Sequence, residues 1–242
     1  MLRAVLFDFF GTLTTAVHRG PAHANIARWL GCDPARFAAE LDRSFRVRAC
    51  GGYGPPADAL RRVTRGAGGR PSEQRIAVAL SARSAAVRAD TRLRPDAVPV
   101  LAALRDAGIR TGLISDCGPE LPLFLSTLPV GPLLSTCVYS VEVGVCKPHP
   151  RIYLTACARL GVDPHECLYV GDGGSRELTG ATMVGMTAIR LAAPDLHGHL
   201  AYHRDDGWEG MTVQSLTEIP VLLDRTPAVI GWTPRSRVPS AA

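Results

Sequence analysis

The sequence predicts an α/β protein: a doubly wound, Rossmann-like, mostly parallel sheet with a helical domain inserted after its first strand. Three observations lead there. RAVLF at 3–7 is a short apolar run with β-branched and aromatic members, ending at Asp8. Residues 14–93 then hold helical patterns without a convincing strand. From Arg94-Pro95 onward, strand-like runs alternate with helical ones, the pattern of parallel strands joined by crossover helices.

Each element has its local signal. In the insert, one helix runs from Pro21 to Leu30 and stops at Gly31. Asp33-Pro34, an N-cap followed by a first-turn proline, opens a second that reaches about Arg48. CGGYGPP at 50–56 reads as a loop. A third helix covers 57–65, and a fourth, capped by Ser72, runs to about Ala89. Beyond the insert, helices are predicted over 96–107, 119–128, 150–160 and 175–184. Strands are predicted over 109–115, 136–140, 167–170 and 187–191. The expected organisation is a core of 1–13 and 94–225, an insert of 14–93, and a loose tail of 226–242 rich in Pro, Ser, Thr and Arg.

Composition narrows the function. With 242 residues, 46% of them hydrophobic, the chain can bury one sizeable core plus a smaller domain. The first residues carry no signal-like stretch and no apolar run reaches bilayer length, so a cytoplasmic address is expected and no membrane partner. Seven cysteines, an odd number with no C-x-x-C pair, read as buried thiols rather than a disulfide framework or zinc site; Cys117 and Cys146 are included. The net charge of +5 comes from scattered arginines, with no Lys/Arg block or aromatic platform, so nucleic acid is not the expected partner. A small anionic substrate suits the charge better, handled by a monomer or homodimer. Of the 27 basic residues only one is lysine, Lys147. Where arginine is otherwise the rule, that position calls for an ammonium point charge.

Four features fall at or just after strand ends: Asp8, Ser115-Asp116, Lys147 in GVCKPHP, and Asp172 in VGDGGSRE. A doubly wound sheet gathers such loops outside the carboxyl ends of its strands. Ser115 and Asp116 also suit helix capping, and Glu177 suits the first turn of its helix. In this order, FDFFGTL, LISDC, GVCKPHPRIY and LYVGDGGSRE resemble the four motifs of the haloacid dehalogenase (HAD) superfamily of hydrolases, and the helical insert resembles that family's C1 cap. The resemblance covers residues 1 to about 224. It implies a nucleophile at Asp8, which forms a covalent aspartyl intermediate that water cleaves. It implies Mg²⁺ held by Asp8, Asp172 and the backbone carbonyl of Phe10. Lys147 would stabilise the nucleophile and transferring group, and Ser115, Asp116 and Gly173 would hold phosphate or substrate. Glu177 would contact the metal through water or orient Lys147. Around the Gly-rich loop 51–54, Arg46, Arg48 and Tyr53 are expected to recognise an anionic substrate.

One position departs from the pattern. The family's phosphatases carry a second Asp two residues after the nucleophile, serving as general acid and base; here it is Phe10. Three readings follow. The leading one is a Mg²⁺-dependent phosphatase of a small phosphorylated metabolite, with a surrogate acid such as His18 or a good leaving group. The second is a metal-free 2-haloacid dehalogenase, whose relatives carry an aromatic residue there. The third is a non-catalytic phospholigand-binding protein.

Overall fold

The computed structural model describes residues 2–225; the tail expected over 226–242 lies outside them. Six strands form one parallel sheet: β1 (Ala4–Phe7), β2 (Arg110–Ser115), β3 (Thr136–Tyr139), β4 (Cys167–Gly171), β5 (Thr187–Leu191) and β6 (Thr212–Val213), in the order β3-β2-β1-β4-β5-β6. The chain builds outward from β1 through β2 to β3, then crosses to β4 on β1's other side. The carboxyl end of β1 therefore sits at the point where strand order reverses, the place where such sheets bind ligands.

The sheet is buried on both faces, which is why its strands read as continuous apolar runs. Side chains alternate along each strand. Val5, Phe7, Leu113 and Val170 join one apolar cluster with helices α6 (Ala97–Asp106) and α11 (Glu218–Arg225). Ala4, Leu6, Ile114 and Tyr169 join another with α9 (Pro150–Leu160) and α10 (Glu177–Met183).

Between β1 and α6 lie five α-helices: α1 (Pro21–Trp29), α2 (Pro34–Arg43), α3 (Phe45–Ala49), α4 (Pro56–Gly66) and α5 (Glu73–Asp90). They enclose their own cluster, including Ile26, Leu30, Phe37, Leu60 and Ile76. Residues 13–15 and 92–94 run antiparallel: Thr15 N–H donates to Arg92 O at 2.9 Å, and Arg94 N–H to Leu13 O at 2.9 Å. The chain thus leaves and re-enters the sheet region at one spot. No helix among the described residues is long and apolar enough to cross a membrane.

Three expectations need correction. The helix expected to run to Arg48 breaks at Ser44, whose hydroxyl donates to Glu40 O at 2.6 Å, the local competition by which serine weakens a helix. The stretch expected as a helix to Leu128 is helical only over α7 (Glu120–Phe124) with a tight turn to Thr127, because Pro129 forces Leu128 into an extended conformation. α10 starts at Glu177 rather than 175, since Ser175 and Arg176 adopt positive φ of 56° and 51°. Strand β6, only two residues long, gives no periodic signal and was not anticipated.

Candidate active site

Asp8 follows the last residue of β1 and is 5% exposed. Behind it the chain makes one wide turn, closed by Thr14 N–H donating to Phe9 O at 3.0 Å. Gly11 supplies the turn's left-handed residue at φ 83°, and a Cβ there would lie 2.6 Å from His199 Nε2. The turn brings Thr12 back onto Asp8, its hydroxyl 3.3 Å from Oδ2.

Lys147 enters from the loop between α8 (Ser140–Val143) and α9. It is 2% exposed, and its ammonium donates to Asp8 Oδ1 at 2.6 Å, Glu177 Oε2 at 2.5 Å and Tyr169 OH at 3.3 Å. Burial opposes its charge, yet Asp8 and Glu177 outweigh this and hold its pKa well above the ordinary lysine value. Asp8 and Glu177 are pushed upward by burial, with Lys147 acting against the shift. Both oxygens of Glu177 are engaged: Oε2 also takes the Tyr169 hydroxyl at 2.7 Å, and Oε1 takes the Gly173 N–H at 2.9 Å. Asp116, after β2, accepts the Lys147 backbone N–H at 3.0 Å, and burial raises its pKa. Ser115 is fully buried and its hydroxyl has no hydrogen-bond partner among the described residues.

Asp172, after β4, accepts the Gly174 N–H on Oδ1 at 3.1 Å. Its Oδ2 is buried with no hydrogen-bond partner; His199 Nε2 and Arg204 Nη2 stand off at 3.8 and 3.9 Å. One oxygen from each of Asp8, Asp172 and Glu177 lies within 4.8 Å of the others. A buried, unpartnered carboxylate oxygen beside a second carboxylate is a costly arrangement unless a cation joins them. The donor set therefore fits a hard divalent ion, which Asp8 and Asp172 would hold.

The position of this group depends on a segment that sequence reading left unassigned. Asp205 lies 27 residues beyond Leu178, yet its Oδ2 caps α10, accepting the Leu178 N–H at 2.9 Å. Tyr202 O and His203 O accept the N–H groups of Ser175 and Arg176 at 2.6 and 2.9 Å, bracing their left-handed turn. Together they fix the loop between Asp172 and Glu177.

The site opens into a cavity of about 170 Å³ between the sheet edge and the helical block. Asp8, Asp116, Lys147, Asp172 and Glu177 line its floor, with the Phe10 ring beside them. The opposite wall corrects the expected substrate residues. Arg48 lines the cavity, but Arg46 and Tyr53 do not: Arg46 is exposed and reaches only Lys147 O at 3.5 Å, and Tyr53 packs against the Arg62 guanidinium. The Gly173 N–H is spent on Glu177, and Gly174 and Ser175 line the cavity instead. His18 is exposed and outside it. Sequence reading missed Arg19, His23, Arg83 and Glu120 on that wall, and His199 and Tyr202 at its side. A signal existed for Arg83: it shares the inward spacing of Ile76, Ala79 and Ala86 on α5.

Residues 2–185 match the family of haloacid dehalogenase-like hydrolases. The chain is 31% identical over 199 residues to a glyceraldehyde 3-phosphate phosphatase of Methanopyrus kandleri, covering 79% of this chain and 84% of that one. A shorter segment of 98 residues is 34% identical to (S)-2-haloacid dehalogenase 4A of Burkholderia cepacia, covering 40% and 42%. In fold it is similar to L-2-haloacid dehalogenase of Xanthobacter autotrophicus, with a TM-score of 0.65 at 20% identity, covering 93% and 100%. The match over more than half the chain and the long alignment lead to one conclusion: the chain belongs to the haloacid dehalogenase-like hydrolases.

Proposed function

We propose that this hydrolase is a Mg²⁺-dependent phosphatase of small phosphorylated metabolites, with Asp8 as nucleophile and the helical block, residues 14–93, as its cap. The observation that carries this reading is the unpartnered Asp172 Oδ2 buried beside the Asp8–Lys147 pair. Displacing halide from carbon does not call for such a second acid, whereas phosphate chemistry does: charge on the phosphoryl oxygens must be neutralised. The M. kandleri relative, aligned over most of both chains, is likewise named as a phosphatase.

On this reading Asp8, Asp172 and the Phe10 carbonyl would hold the ion, which would supply positive charge to the phosphoryl oxygens. Asp8 attacks phosphorus, forming an aspartyl-phosphate as the bond to the leaving oxygen breaks. Lys147 keeps Asp8 ionised and oriented, and Glu177 and Tyr169 hold Lys147; Ser115, expected to hold phosphate, is fully buried and does not line the cavity. Water then cleaves the intermediate to inorganic phosphate. Phe10 offers no proton, so leaving groups that depart as anions, such as those of acyl phosphates, are favoured. Release of phosphate from a panel of phosphate esters and acyl phosphates, with Mg²⁺ and with chelator, tests the proposal; no metal-dependent release from any of them overturns it.

A second reading is favoured by one observation: Phe10, which has no proton to give, lines the cavity beside Asp8. It is a metal-free 2-haloacid dehalogenase. Chloride release from 2-chloropropionate in the presence of chelator would establish it, and none with ample enzyme would end it.

A further inference from the structure

The wall facing Asp8 carries two buried polar atoms with nothing to bond. Arg83 is 7% exposed. Its Nε and Nη2 both donate to Glu120 Oε1, at 3.1 and 2.9 Å, while Nη1 has no partner. His23 is 9% exposed; its Nε2 lies 2.9 Å from Asp90 Oδ2, and its Nδ1 has no partner. Both residues line the cavity, with the apolar side chains of Val17, Leu41, Phe45 and Val87 around them. Buried polar groups are rarely left unbonded without a functional reason.

The chemistry of the two atoms is complementary. Arg83 Nη1 can only donate. His23 gives its Nε2 proton to Asp90, which leaves Nδ1 with a lone pair, an acceptor. Burial and the neighbouring Arg83 charge lower the His23 pKa and favour this neutral form. A carboxylate would meet that lone pair with one of its own. The guanidinium beside that lone pair is already answered by Glu120. A neutral group that accepts and donates at one oxygen fits; an anion does not.

We propose that Arg83 Nη1 and His23 Nδ1 form a hydroxyl-recognition subsite, and that the substrate is a hydroxyl-bearing organic phosphate. The hydroxyl oxygen accepts from Arg83 and its proton is donated to His23. The phosphoryl end of this substrate rests on the phosphatase reading above; the hydroxyl end does not.

The test uses the full chain with Mg²⁺ and three probes of equal carbon number: glycerol 3-phosphate, n-propyl phosphate and 3-phosphooxypropionate. Sites that hydrogen-bond a substrate hydroxyl reject analogues lacking it strongly. The expected result is a kcat/KM at least about tenfold higher for glycerol 3-phosphate than for either other probe. His23→Phe should bring the three within about threefold of one another, and His23→Gln, which restores an acceptor, should recover part of the preference. Arg83→Lys keeps the charge beside Glu120 but loses the free guanidinium nitrogen, and should also flatten it. Equal rates for the three probes, a preference for the carboxylate, or a preference that survives both His23→Phe and Arg83→Lys overturns the proposal. If no probe is hydrolysed, the phosphatase reading is decided by the acyl phosphates of the panel above. Calorimetric binding of glycerol 3-phosphate against n-propyl phosphate then decides the subsite: the same tenfold preference upholds it, and equal affinity overturns it.

Discussion

Replacing Lys147 with Met removes the chain's single lysine from the centre of a buried acidic group. Its ammonium lies 2.6 Å from Asp8 and 2.5 Å from Glu177, at 2% exposure. At an effective dielectric of about 20 each contact is worth roughly 6 kcal/mol of gross attraction, most of it offset by the cost of burying the charges. What decides the outcome is what remains: two buried carboxylates without their cation. Breaking a buried pair from one side costs about 3–5 kcal/mol. For a chain of this size that is a fall in Tm of roughly 6–20 °C. The pH dependence has a definite sign. Burial already raises the pKa of Asp8 and Glu177, and Lys147 opposes it. Without Lys147 both rise further, so the penalty is full at pH above their folded values and fades as pH falls towards 4. The Lys147 contribution in the wild type is constant up to about pH 10 and lost only above it, because its own pKa is raised. Urea unfolding of both proteins at pH 8 and pH 5 reads the difference. A deficit below about 1 kcal/mol at pH 8, or one equal at both pH values, refutes the reasoning.

Other perturbations address neighbouring parts of the site. Phe10→Asp restores a carboxyl where the cavity floor now has a ring, and should raise kcat on alkyl phosphates about 10²-fold or more in a phosphate-release assay. Asp172→Asn removes one charge from the proposed cation site; activity should need at least about tenfold more Mg²⁺, read from a metal titration of rate. Asp205→Ala takes away the distant cap of α10 and should cost about 1–2 kcal/mol in urea unfolding while lowering kcat, since the Ser175–Glu177 turn loses its brace.

How much of this was legible in the sequence follows from what each residue depends on. Asp8, Ser115, Asp116, Lys147 and Asp172 sit at or just beyond the ends of strands or in crossover loops, and parallel sheet topology alone gathers those positions. The rarity of lysine marked Lys147 a second time. The facing wall is different. Arg19, His23, Arg48 and Arg83 come from α1, α3, α5 and the loop before them, and only the packing of those helices decides which side chains face inward. Arg46 and Arg48 are two residues apart on a short helix, and so point to different sides; sequence reading had no means to separate them. Asp205 acts on a helix that begins 28 residues earlier, and no local pattern announces a cap of that reach.

The unbonded atoms divide the cavity by chemistry. On the floor, four carboxylates surround one ammonium, and backbone N–H groups answer part of that excess: Gly173 bonds Glu177, Gly174 bonds Asp172, and Lys147 bonds Asp116. After those bonds the unanswered floor atom is an acid oxygen, Asp172 Oδ2. An acid oxygen beside other acids asks for positive charge. On the wall the unanswered atoms are a donor and an acceptor, beside an Arg83–Glu120 pair that answers the donor's charge. A ligand that satisfies both ends is charged at one and neutral but hydrogen-bonding at the other. A 2-haloacid, with a carboxylate and an apolar carbon bearing halogen, can accept from Arg83 Nη1 but has no donor for His23 Nδ1. A hydroxylated organic phosphate satisfies both ends, which is why the two proposals, drawn from different residues, point to one class of substrate.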